Sequence, residues 1–136
     1  MSKRDDWPHD IEQVYLDGNN MMFVIDSLRR LCLNQAGDRT ERAIGEIAAA
    51  WNQQMHIPRI ELIFDATHHT DQIGTVQISS AAPRYRTTDD MLIEIVRRPE
   101  NREKNKRTVV VTSDRALAML VCAQDKLLLS FYKTIL

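Results

Sequence analysis

Apolar positions along the chain alternate between two kinds of pattern. Val14-Tyr15-Leu16 is a short, β-prone run that stops at Asp17-Gly18-Asn19-Asn20, residues that end strands and favour turns. A buried strand ending at Asp17 is predicted. Met21, Val24, Ile25, Leu28, Leu31 and Cys32 then follow the spacing of one helix face, with Arg29, Arg30 and Asn34 off it, and Gln35-Ala36-Gly37 closes that segment. Asp38 followed by Glu41 has the form of a capping box, which opens a second helix. Its core stripe is Ile44, Ile47, Ala48, Trp51 and Met55, and Pro58 marks its far limit.

Ile60 to Phe64 is a nearly continuous apolar run ending at Asp65, and Thr75 to Ile78 is a shorter β-prone stretch after the polar loop Thr67 to Gly74. Thr87 or Thr88 can cap a third helix, with Met91, Leu92, Ile95 and Val96 on its apolar side, Arg97-Arg98 at its negative end and Pro99 beyond it. Glu100 to Arg107 reads as charged and solvated. Thr108 to Thr112 is the clearest buried strand, followed by Ser113-Asp114 at a helix start, a helical stretch from Ala116 to Cys122, and a closing strand within Leu127 to Tyr132.

This alternation predicts an α/β fold with a mostly parallel sheet, in which a site lies outside the carboxyl ends of the strands. Parallel strands ending at Asp17 and Asp65 need an odd number of traverses between them. One of the two intervening helices must therefore be short, bent or laid across the sheet edge.

With 136 residues, 43% of them hydrophobic and 27% charged, the chain is the size of a single soluble domain, here residues 14–136 behind a loosely held tail, 1–13. Eighteen Lys and Arg against 19 Asp and Glu leave a formal net charge of -1, which excludes the overall basic excess of a non-specific nucleic-acid binder. Any nucleic-acid contact must use local patches. No apolar run approaches the ~20 residues that cross a bilayer, and the charged N-terminal stretch lacks the apolar core of a signal peptide. A cytoplasmic protein with no membrane partner is expected. Cys32 and Cys122 sit in apolar stretches without metal-ligand spacing, so buried reduced thiols are the favoured reading, although counting alone leaves a disulfide open.

The candidate chemistry lies in Asp17 with Asn20, Asp65, Asp89 with Asp90, and Ser113 with Asp114, each at a strand end or helix start on one predicted edge. Any one of these acids could equally be a helix cap. Together they repel one another, a cost tolerated mainly where a hard cation neutralises them, and Mg²⁺ or Mn²⁺ suits an all-oxygen set.

The series Val14-Tyr15-Leu16-Asp17-Gly18-Asn19-Asn20, Ile63-Phe64-Asp65-Ala66, Thr87-Thr88-Asp89-Asp90 and Val111-Thr112-Ser113-Asp114-Arg115 resembles the NYN domain, in particular its YacP-like branch, within the PIN-like nuclease superfamily. Order and approximate spacing match over residues 14 to about 122. The sequence departs in having Asn19 where Tyr is usual and Thr88 where Ala is usual, and the stretch after Asp114 is short for that branch. The resemblance implies a PIN-like three-layer fold with a mostly parallel central sheet and an acidic site at its carboxyl edge. It implies a metal-dependent endoribonuclease that hydrolyses RNA phosphodiesters with one or two Mg²⁺ or Mn²⁺ ions. Asp17, Asp89 and Asp114 would be metal ligands, Asp65 and Asp90 would stand more peripherally, and Asn20 and Ser113 would orient ligands or water.

RNA contacts are expected from Arg84, Arg86 and Arg115, which flank the motifs, and from Arg39 and Arg42 at the start of the second helix, although an isolated surface Arg is ordinarily solvated charge. Tyr85 could stack on a base or pack its own loop. His68-His69 with Asp71 lacks the further ligands of a zinc site. The Met21-Met22 pair reads as helix packing. The alternative to an enzyme is a catalytically weak or inactive PIN-like module that binds RNA or protein within a ribonucleoprotein assembly, and self-association is a further expectation. A phosphoacceptor receiver domain would also gather acids at a parallel sheet edge, but the lysine it needs after a late strand is missing.

Overall fold

The computed structural model describes residues 11–19, 37–67, 70–111 and 128–130, with side chains described outside 37–40 and 128–130. In chain order the elements are β1 (Gln13–Asp17), α1 (Gly37–Met55), β2 (Arg59–Phe64), β3 (Asp71–Ile73), β4 (Val76–Ser80), α2 (Thr88–Arg97), α3 (Arg102–Asn105), β5 (Thr108–Val111) and β6 (Leu128–Ser130). The strands form one sheet in the order β3-β4-β2-β1-β5-β6. All neighbouring pairs are parallel except β3 with β4. Leu16 lies level with Leu62 on one side and with Val111 on the other, and Phe64 lies level with Ser80, so the carboxyl ends of β1, β2, β4 and β5 reach one edge.

The period of two along each strand sorts side chains between two cores. Val14, Leu16, Ile60, Leu62, Val76, Ile78, Val109 and Val111 pack against Ile44, Ala48, Trp51 and Met55 of α1, with Ile47 half-buried beside them. The intervening positions Tyr15, Ile63 and Val110 face the other way and pack with Leu92 and Val96 of α2. Helix, sheet and helix make three layers. Each fully buried Leu, Ile or Val contributes roughly 1.5–3 kcal/mol, so the α1 face, with the larger cluster, carries more of the stability.

The end of α1 is held by a polar clamp. His56 leaves the helix at φ 56°, with its amide donating to the Asn52 carbonyl at 2.9 Å. The buried Asn52 side chain accepts from the Ile57 amide at 2.7 Å through Oδ1, while its Nδ2 donates to Ile57 O at 2.9 Å and Thr75 Oγ1 at 2.6 Å. These bonds fix the turn into β2 and tie it to the β3–β4 hairpin.

Three stretches differ from the sequence expectation. The polar loop Thr67 to Gly74 contains β3, an edge strand whose Asp71-Gln72-Ile73 is largely exposed and shows no apolar alternation. Glu100 to Arg107 is not merely solvated: a 3-10 turn over Pro99–Asn101 and α3 occupy it, and buried Asn105 donates to Val96 O at 3.0 Å. α1 is described from Gly37, so Asp38 lies within the helix and not ahead of it. Near the start, Ile11 is buried, the Glu12 amide donates to the Arg107 carbonyl, its own carbonyl accepts from the Arg59 amide, and β1 opens at Gln13. The helices expected over Met21 to Cys32 and Ala116 to Cys122, with both cysteines and Met21-Met22, lie outside the described residues, as do His68 and His69. Among the described residues no helix is long and apolar enough to cross a membrane.

Candidate active site at the carboxyl edge

Asp17 ends β1, and at 2% exposure it is almost fully buried. By strand alternation it shares the face of Tyr15, which is the α2 face, and it lies level with Ile63 of the same cluster. The chain turns helical at Gly18 and Asn19. A Cβ on Gly18 would stand 2.5 Å from the Phe64 ring and 2.9 Å from the Ile63 carbonyl, so only glycine lets this turn press against the end of β2. Asn19 uses that proximity: its Oδ1 accepts the Asp65 amide at 2.6 Å.

Asp65 joins a third element. Its Oδ1 accepts the Thr88 amide, in the first turn of α2, at 2.8 Å, and its own carbonyl accepts from the Ala82 amide at 2.9 Å. The loop after it is anchored by Thr67, whose amide donates to Ser80 Oγ at 3.1 Å and whose hydroxyl donates to Glu41 of α1 at 2.6 Å. Thr87 is the N-cap of α2, its side chain accepting from the Asp90 amide at 3.2 Å. The cap is thus supplied by Thr87, with Asp65 reinforcing it, and not by Asp89 or Asp90. Asp89 is half-buried and Asp90 exposed. The positive end of the helix dipole favours all three carboxylates around this first turn and offsets part of their mutual repulsion.

The structure therefore brings together the end of β1, the end of β2 and the start of α2, and with them Asp17, Asp65 and the Asp89-Asp90 pair on one edge. Asn20, Ser113, Asp114 and Arg115 lie outside the described residues. Among the described residues no three His, Cys, Asp or Glu side chains form a ready metal cluster. The donors present at the edge are all oxygens, which in chemistry fits a hard cation such as Mg²⁺ or Mn²⁺.

The arginines divide. Arg84 and Arg86 are exposed on the loop that leads from β4 into α2, which is tied to Asp65 at Ala82. Arg42 instead pairs with Asp71 at 2.9 Å and Glu46 at 3.4 Å, and Arg39 lies within α1. Tyr85 is half-buried against the α2 cluster, and its hydroxyl accepts from Arg98 Nη2 at 3.0 Å, the loop-packing role. Tyr85 and Arg98 hold the Glu94 carboxyl below the usual carboxylate range, while the Glu94 hydrogen bond pushes Tyr85 up. Burial, with the nearby Glu61 charge, pushes Tyr15 up to about 12, so Tyr15 stays neutral at physiological pH. A cleft of about 410 Å³ beside β4 and α2, lined by Glu61, Ser79, Arg84, Tyr85, Met91 and Arg98 among others, does not include Asp17, Asp65, Asp89 or Asp90.

Asn19 is the positioning residue that the motif reading passed over. The available signal was a short Asx side chain just after a strand-ending Gly, a type that bonds nearby backbone. Its actual partner is 46 residues away, which no local pattern shows.

No family model matches the sequence, and no curated protein matches it either. Among solved structures the chain is similar to the crystal structure of Rae1 (YacP) from Bacillus subtilis, in its W164L mutant form. The TM-score is 0.67 at 18% identity, over 92% of this chain and 72% of that one. The fold is YacP-like. At this identity the likeness concerns the three-layer architecture alone.

Proposed function

We propose that this YacP-like domain is an NYN-type endoribonuclease that hydrolyses RNA phosphodiester bonds with Mg²⁺ or Mn²⁺. The observation that carries the reading is the Asp65 carboxylate, which ties the end of β2 to the first turn of α2 on the edge where Asp17 ends β1. The four motifs of the sequence resemblance and the YacP-like fold support it.

In this reading Asp17 and Asp89, with Asp114, would hold the cation, which would supply activation of water and stabilisation of the leaving oxygen. The chain's own residues do the positioning. Asn19 and the Thr88 amide fix Asp65, Gly18 permits the close approach, and Asp65 and Asp90 keep the surroundings negative so that a divalent ion is favoured. Arg84 and Arg86 meet the RNA backbone on the loop entering α2, with Arg115 and Arg39 as further contacts. A module that binds RNA or protein without cleaving is the second reading, and it is favoured by the use of Asp65 as a helix-capping group.

The test incubates purified protein with single-stranded and structured RNA, with and without Mn²⁺, beside Asp89→Asn. Mn²⁺-dependent cleavage that Asp89→Asn abolishes is expected. Binding without cleavage by the native chain would leave the second reading. Binding of a non-cleavable RNA should weaken with salt, by roughly −0.7 in logarithmic slope per neutralised phosphate, and with Arg84→Ala or Arg86→Ala.

A further inference from the structure

Parallel strands are ordinarily covered on both faces, yet on the α2 side β2 and β4 leave a polar strip open. Glu61 and Ser79 are half-buried there and Arg59 and Gln77 are exposed, at alternate positions that share the face of Tyr15. Two clefts lie end to end along this strip, with Glu61 as their common wall. The first, of about 430 Å³, begins at the amino edge beside Lys104 and runs over Tyr15 and Gln77. The second, of about 410 Å³, continues past Ser79 to Ala82, whose amide is bonded to the Asp65 carbonyl at the carboxyl edge. Together they follow the whole of β2, whose six residues span about 20 Å.

The charges along this trough are one-sided. Arg59 and Lys104 in the first cleft and Arg84 and Arg98 in the second stand against the single carboxylate of Glu61, which already accepts from the Ser79 hydroxyl at 3.0 Å. Of the four cations only Arg98 has an ion-pair partner among the described residues, Glu94 at 3.2 Å. Besides burial, the Tyr15 hydroxyl feels Glu61 in one sense and Arg98 and Arg59 in the other, so these charges lie around one spot near the junction of the clefts. A lone arginine on an open face is ordinarily solvated, whereas a row of cations along a trough is the arrangement that tracks a phosphate backbone.

We propose that this trough is a second RNA contact, which holds single-stranded RNA by its phosphates between the carboxyl edge and the amino edge of the sheet. The inference rests on the RNA reading above and adds to it a surface separate from the acids. The floor offers no open aromatic face, Tyr15 being 6% exposed, so the contact should show little sequence preference and strong dependence on salt.

The test measures, over a range of salt, binding of a non-cleavable single-stranded RNA of about 12 nucleotides, within the usual size of such sites. Wild type is compared with Arg59→Gln plus Lys104→Gln, and with Arg102→Gln plus Lys106→Gln, which removes two nearby exposed cations that line neither cleft. The first pair is expected to weaken binding and to reduce the logarithmic salt slope by about 1.4, at roughly 0.7 per phosphate, with the control pair at the wild-type slope. Arg59→Gln alone, at the exposed start of β2, should reduce the slope by about 0.7 and decides the matter if the pair folds poorly. Cleavage of a native RNA by the first pair should show a raised KM at unchanged kcat. Wild-type slope and affinity in that pair, or the same loss in the control pair, would overturn the trough while leaving the acidic site standing. Polyglutamate bound more tightly than the RNA, and lost in the same pair, would assign the trough to an acidic protein and overturn the proposal. A wild type that binds no RNA would overturn the trough and the RNA reading together.

Discussion

The two faces of the sheet differ in what their polar side chains hold together. On the α1 face Asn52 has every part of its amide engaged, holding Ile57 and Thr75 beneath a large apolar cluster. On the α2 face the cluster is smaller, Asp17 is buried at its margin, and the Asp65 carboxylate accepts the Thr88 amide. The first arrangement stabilises the fold. The second sets Asp17, Asp65 and the start of α2 beside the carboxyl ends of the strands, the edge to which the proposed chemistry is assigned.

The largest effect that would test this contrast is Asn52→Ala. It strands the Ile57 amide and carbonyl in a buried turn and should lower stability by about 2–4 kcal/mol, read from the urea midpoint. A loss no greater than that of an exposed substitution would remove the distinction between the faces. Gly18→Ala comes next. Its Cβ must displace the Phe64 ring and the end of β2, so a loss of about 1–3 kcal/mol is expected, with the Asn19–Asp65 bond disturbed at the same time. Unchanged stability with unchanged cleavage would show that the close approach of β1 and β2 is not needed.

The smallest effect is on pH dependence. Glu94 ionises below the usual carboxylate range because Tyr85 and Arg98 bind its charged form. A carboxylate depressed in the folded state contributes stability at pH values above its unfolded pKa, and that contribution is lost as pH falls through the folded value. Wild type should therefore lose more stability than Glu94→Gln as pH is lowered from neutrality through and below the ordinary carboxylate range. Because the ion pair is exposed, the difference should be small and should shrink in high salt. Parallel melting curves for the two proteins over that range would remove Glu94 from the account.

The sequence made the central strands legible because Val14 to Leu16, Ile60 to Phe64 apart from half-buried Glu61, and Val109 to Val111 are buried and read as nearly continuous apolar runs. It showed α1 and α2 through the recurrence of Ile44, Ala48, Trp51 and of Leu92, Val96. Edge strand β3 left no such trace, since an exposed strand buries too little to impose alternation. α3 was equally hidden, because its four residues are mostly charged and only Asn105 turns inward. At the site, Asp17 and Asp65 were visible as the residues that stop apolar runs. The partners that hold them were not: Asn19 to Asp65 and Asp65 to Thr88 are contacts across the sheet edge, created by register and not by spacing. The sequence also allowed Asp89 to be a cap, and the structure assigns that role to Thr87.

The central claim is that the acids at this edge serve chemistry and not folding. It is tested most directly by measuring Mn²⁺-dependent cleavage of a defined RNA by Asp17→Asn, with the fold of the same preparation checked by its metal-free melt. A melt close to wild type is expected, since Asn keeps the shape of the side chain while neutralising one of the crowded acids, together with loss of cleavage. Cleavage at the wild-type rate by a folded Asp17→Asn protein would contradict it.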